Sequence, residues 1–179
     1  MNLLASLSPI YAEIFLLVMV SVILIVDLFI VNYTKTVTYL LVQLSLLACS
    51  LITVATHEGG IVHLFNHMFV DDLMSDVLKL LTYLSVSMML VYSRSYLLLR
   101  GLFTGEFLAL VLFSTLGMMV MISASNFLTL YLGLELLALS LYAMVALQRD
   151  SATSTEAAMK YFILGAMASG FLLYGMSML

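Results

Sequence analysis

Residues 126–147 read NFLTLYLGLELLALSLYAMVAL, an apolar run whose sole charged residue is Glu135. A membrane-spanning helix needs about 20 mostly apolar residues at about 1.5 Å rise each, and this run supplies them. Glu135 then lies about 14 Å along the axis from Asn126, near the bilayer midplane. A charge at that depth costs roughly 2.5–3.5 kcal/mol even on the lenient insertion scale. On a helix Tyr131, Ala138 and Tyr142 share its face, so that face is small or phenolic while leucines fill much of the rest. Such a carboxyl is expected to face a protein interior and to need a cation or a hydrogen-bond donor. Two readings stay open: a group that handles protons, or a hydrogen-bonded acid that only ties helices together.

The rest of the chain repeats the pattern. Apolar runs at 10–31, 37–56, 73–92, 106–123 and 157–179 give, with 126–147, six expected spans. The expected fold is all-α, a polytopic membrane helix bundle forming one transmembrane domain over 1–179, with no room for a separate soluble domain. Composition agrees. Of 179 residues 64% are hydrophobic and 9% charged, with a mean hydropathy of +1.20. Soluble domains are about 45–50% apolar and about 25% charged, so the excess apolar surface must face lipid. A soluble enzyme, a disordered tail and a nucleic-acid binder are excluded. A net charge of −4 with six Lys+Arg leaves no basic patch for phosphates.

The single cysteine, Cys49, can form no internal disulfide and alone holds neither zinc nor an iron–sulfur cluster. No GxGxxG or Walker loop marks a nucleotide site. The first run is expected to be retained and not cleaved as a signal peptide, because no Lys or Arg precedes Lys35 and the run is about twice the length of an h-region.

Lys35, Arg94, Arg100 and Arg149 fall in alternate connections, whereas the connection 57–72 carries Glu58, Asp71, Asp72 and His57, His63 and His67. The positive-inside rule then places the N-terminus outside and those four cations in the cytoplasm. The sixth run ends at Leu179 without a polar flank, as expected of one portion of a longer bundle. In that run Gly165 with Ser169, and Ala166 with Gly170, form small-xxx-small faces that suit helix packing in lipid.

The remaining charges have readings of their own. Lys160 lies near the cytoplasmic end of the sixth run. Thr153 with Glu156 has capping-box spacing, and Glu156 with Lys160 is an i,i+4 pair, so Lys160 is either a snorkelling lysine tied to that glutamate or a functional group. Asp72, Asp76 and Lys79 form one stripe on the third helix, with Asp76 placed to neutralise Lys79 at i+3. This stripe reads more readily as a structural polar seam than as a relay. Asp27 and Glu13 are expected at the two interfaces. Glu106 opens the fourth helix, where the dipole favours it. His63 and His67 have a spacing that can bind metal on a helix, but no third ligand stands nearby, so no metal site is expected.

Stretches 105–121, 130–142, 149–166 and 169–175, with Phe69-Val-Asp-Asp72 ahead of the third helix, closely resemble the N subunit of bacterial NADH:quinone oxidoreductase, respiratory complex I. Members of that family have about fourteen helices, and the resemblance covers the first six. It implies an antiporter-like, proton-translocating subunit of the bacterial inner membrane that performs no redox chemistry. NADH, FMN, iron–sulfur clusters and quinone would then belong to partner subunits, and this chain would bind no cofactor. Its partners would be other membrane subunits of complex I and the lipid bilayer. The resemblance assigns Glu135 to the fifth-helix glutamate of the proton channel and Lys160 to a sixth-helix lysine. The cations that face this glutamate in relatives lie on later helices. Two alternatives stand beside this reading: a subunit of a multi-subunit sodium/proton antiporter, and a structural or assembly subunit with no channel of its own.

Overall fold

The computed structural model describes residues 5–29, 35–57 and 60–179. A short 3₁₀ turn, Ala5–Ile10, leads into α1 (Tyr11–Phe29), followed by α2 (Thr36–Thr56). A small hairpin, β1 (Val62–Leu64) and β2 (Phe69–Asp71), precedes α3 (Leu73–Leu99), α4 (Gly105–Ile122), α5 (Phe127–Val145) and α6 (Ala152–Ser177). All six α-helices are long and apolar enough to cross a membrane. In hydrocarbon each backbone N–H and C=O must be satisfied within the chain, and a helix does this alone. The fold is therefore the expected membrane helix bundle, with one addition. The connection after α2 contains a two-stranded antiparallel hairpin, pairing Val62 with Asp71 and Leu64 with Phe69.

Two helices outrun their expected ends. α3 continues to Leu99, well past the end of its apolar run, and at 27 residues it is about 40 Å long, against about 30 Å of hydrocarbon. In its last two turns backbone bonding continues although hydropathy has fallen. α6 likewise starts at Ala152 and not near 157. Its N-cap is Ser151, whose hydroxyl accepts from Ser154 N, so the expected Thr153–Glu156 capping box is not the one used. α3 starts on Asp72, which accepts from Ser75 N at 2.7 Å while the Ser75 hydroxyl accepts from Asp72 N at 3.0 Å.

The core is built around α4, which packs against α1, α2, α3 and α5. Leu16, Val20 and Ile23 of α1, Val42 and Leu46 of α2, Leu90 of α3 and Leu108, Leu112 and Met119 of α4 are fully enclosed. α6 touches the bundle through α5 and exposes most of its surface. The tightest crossing joins α4 to α5. A Cβ on Gly117 would lie 2.7 Å from Leu137 N and 2.8 Å from Gly133 O. A Cβ on Gly133 would lie 2.8 Å from Met121 N and 2.9 Å from Gly117 O. Two backbones thus touch where side chains would hold them apart, which is how membrane helices associate without a hydrophobic drive. The small-residue face expected to do this on α6 serves differently. Gly165 receives the Tyr142 hydroxyl, and Gly170 has open space around it.

Replacing Gly117 or Gly133 with Ala should separate α4 from α5 and cost about 1–3 kcal/mol, read as lower thermal stability of the detergent-solubilised protein. Gly170→Ala should be tolerated in the same assay.

Candidate functional site

Alternating helix direction sorts the charges to two ends of the bundle. At one end Lys35 Nζ lies 3.0 Å from Asp27 Oδ1, and the Thr38 hydroxyl donates to the same oxygen at 3.0 Å. The Asp27 carboxyl rests against Gly105 at the start of α4. Arg149 approaches Glu106 at 3.8 Å, both well exposed, and the Arg94 guanidinium stacks over the Tyr39 ring at 4.8 Å. Glu106 opens α4 as expected, and Asp27, expected at an interface, pairs with Lys35. Glu58 lies outside the described residues.

The opposite end holds a buried cluster that sequence spacing placed only in part. Lys79 is 1% exposed, and its Nζ lies 2.8 Å from Glu13 Oε1 and 3.9 Å from Asp71 Oδ1. The ammonium also stands 5.1 Å from the centre of the Phe69 ring. Asp76 does not neutralise Lys79 as expected; it bonds the imidazole of His57, with Nδ1 and Oδ2 2.7 Å apart. Asp72 leaves the stripe to cap its own helix. Glu13, expected at an interface, is buried. The reason is helical geometry: Glu13 shares the packed stripe of α1 with Leu16, Val20 and Ile23. That spacing was the available signal for Glu13. Nothing local signalled Asp71, which the hairpin folds back over the cluster.

The hairpin holds its place by backbone bonds to the α4–α5 turn, Val70 N to Ser123 O at 2.9 Å and Ser125 N to Met68 O at 3.2 Å. Burial, reinforced by the neighbouring Asp76 and Glu13 carboxylates and opposed by Lys79, pushes the Asp71 carboxyl up to about 6. Glu13 Oε2 and Asp71 Oδ1 are buried without a hydrogen bond. Deeper in the bundle the Tyr83 hydroxyl and Thr53 Oγ1 stand 3.5 Å apart, and Cys49 sits on Ala12 O at 3.8 Å.

Glu135 lies on the middle of α5, half-buried, and its Oε2 is enclosed with no hydrogen-bond partner. No Lys, Arg or His pairs with it among the described residues. One turn and more along the same face, Tyr142 packs edge-on against Tyr161 and Phe162 of α6, with ring centres at 5.1 and 5.6 Å. Lys160 is not brought to Glu135. Its side chain is 70% exposed, and its ammonium bonds Glu156 Oε1 at 2.6 Å, the i,i+4 pair read from the sequence.

His63 lies on a strand and His67 in the following turn, with ring centres 4.7 Å apart. The helical spacing considered for them does not occur. Among the described residues no three His, Cys, Asp or Glu side chains converge as a metal site.

Residues 124–179 match the family model described as NADH:quinone oxidoreductase/Mrp antiporter, TM. NADH-quinone oxidoreductase subunit N of Nitrosomonas europaea is 58% identical over 99% of this chain and 37% of its own length. The proteins of the same name from Thiobacillus denitrificans and Methylovorus glucosotrophus are 57% and 54% identical over 98% and 96% of the chain. The chain spans about 37% of the length of the curated relatives it matches. Along nearly every residue the chain is thus similar to NADH-quinone oxidoreductase subunit N proteins, over the part of their length that it spans.

Proposed function

We propose that this chain carries part of the proton path of a membrane-arm subunit of NADH:quinone oxidoreductase, with Glu135 as its central proton-binding group. The observation that carries this reading is the enclosed, unbonded carboxylate oxygen of Glu135 halfway along a membrane-spanning helix. An acid so placed is tolerated when another group sets its charge. A cation that approaches holds it ionised, and one that withdraws lets it take up a proton. Energy released at a distant redox centre would act by biasing that approach. The chain itself performs no redox step in this reading. NADH, FMN, iron–sulfur clusters and quinone are assigned to partner subunits, and the other membrane subunits and lipid surround this one.

Relatives at 50–58% identity share the oxidoreductase subunit name, which favours this reading over a sodium/proton antiporter subunit. Lys160 is assigned a secondary role at the end of α6, where Glu156 holds its ammonium. Lys79 and Asp76 belong to the path at the hairpin end, with Asp72 fixing the start of their helix. The distribution of cations supports a cytoplasmic side for Lys35, Arg94, Arg100 and Arg149 and a periplasmic N-terminus in the inner membrane.

Glu135→Gln in the assembled complex should leave assembly and electron transfer from NADH intact. Proton pumping should fall by tenfold or more, since a positioned acid–base group is worth roughly 10²–10⁴ in rate. Vesicle acidification measured beside NADH oxidation checks this, and unchanged pumping would overturn the role. Lys160→Met should lower pumping less than Glu135→Gln does in the same vesicles, because its ammonium is held by an exposed partner.

A further inference from the structure

The cluster at the hairpin end holds too many acids for its cations. Glu13 and Asp71 face one ammonium, Lys79, while Asp76 bonds His57, the other basic group. Three carboxylates leave an excess of negative charge even with His57 protonated, and the site is buried, where such an excess is costly. The Asp76 carboxylate is one of the neighbours that push the Asp71 carboxyl up. Two carboxylates only accept, so a hydrogen bond between them would require one of them to hold a proton. Glu13 Oε2 and Asp71 Oδ1, both enclosed and without a hydrogen bond, add two unsatisfied acceptors to the cluster.

We propose that Glu13, His57, Asp71, Asp76 and Lys79 form a proton-exchange site separate from Glu135, in which Asp71 and Asp76 hold one proton and trade it with bulk water through His57. The His57 side chain is 35% exposed, whereas that of Asp76 is 11% exposed, so the imidazole is the group that meets both water and the carboxyl pair. In the inward step, hydronium protonates the outer ring nitrogen of His57. The proton on Nδ1 then passes to Asp76 Oδ2, 2.7 Å away, and the imidazole is left neutral. Asp76 hands that proton to Asp71. The outward step is the reverse, and no electrons move.

The Lys79 ammonium is held by Glu13 and the Phe69 ring and lies 3.9 Å from Asp71 Oδ1. The titratable groups around the pair are Glu13 from α1, Cys49 and His57 from α2, and Asp76, Lys79 and Tyr83 from α3. With the Asp71 carboxyl pushed up to about 6 by burial and its acidic neighbours, its proton is held below that pH and released above it. The site is read from its own geometry and does not depend on Glu135 conducting.

The test is pH-difference infrared spectroscopy on the complete subunit in its native membrane assembly. The C=O stretch of a buried protonated carboxyl should fade as pH rises through about 6 and be lost in Asp71→Asn. In deuterated buffer the band should shift promptly in the unaltered protein and slowly in His57→Phe. If Asp71→Asn fails to assemble, carbon-13 labelling of aspartate carboxyls in the unaltered protein should move the same band. A spectrum with no titrating band that responds to aspartate labelling overturns the proposal, as does a deuterium shift of unchanged speed in His57→Phe. Neither result depends on whether Glu135→Gln alters pumping, so the two readings fail separately.

Discussion

An ammonium sealed from water sets the terms for one end of this molecule. Removing Lys79 from solvent carries a penalty of several kcal/mol, which is offset only by close counter-charge and well-placed acceptors. Glu13 supplies the charge from α1, a helix otherwise joined to α3 through α2 and α4. For Glu13 to arrive, α1 must turn its Leu16–Val20–Ile23 stripe inward. For Asp71 to arrive, the connection after α2 must fold back as a hairpin and fasten to the α4–α5 turn. The registers of α1, the hairpin and α3 are thus mutually dependent.

The two buried acid sites differ in how they are satisfied. Glu13 meets its cation within the described residues, and Asp71 approaches the same ammonium. Glu135 has no cation there, and its helix is covered on one side by α4 and on another by α6. The first site is organised by attraction already in place. The second is organised by shape and by phenolic neighbours.

Much of the bundle could be read from apolar run length alone, because the hydrocarbon thickness and the helical rise fix how many residues a span needs. The helix ends at Leu99 and Ala152 were not legible in this way. Hydropathy reports where lipid stops, whereas the helix stops where its backbone bonds do, and Ser151 and the interface zone carry them further. Glu135 was visible from a single helix because its depth follows from its position in one run. The pairing of Lys79 was not, since Glu13 and Asp71 are distant in sequence and the nearer Asp76 is drawn off by His57. The hairpin was hidden for a related reason: its strands are only three residues each, too short for alternation to show.

The glycine notch between α4 and α5 has a mechanical consequence. Any sliding of α5 along α4 would carry Leu137 or Met121 into a gap sized for bare backbone, so the two helices behave as one plank. Glu135 is riveted at a fixed height on that plank, so any group that pairs with it must come to meet it.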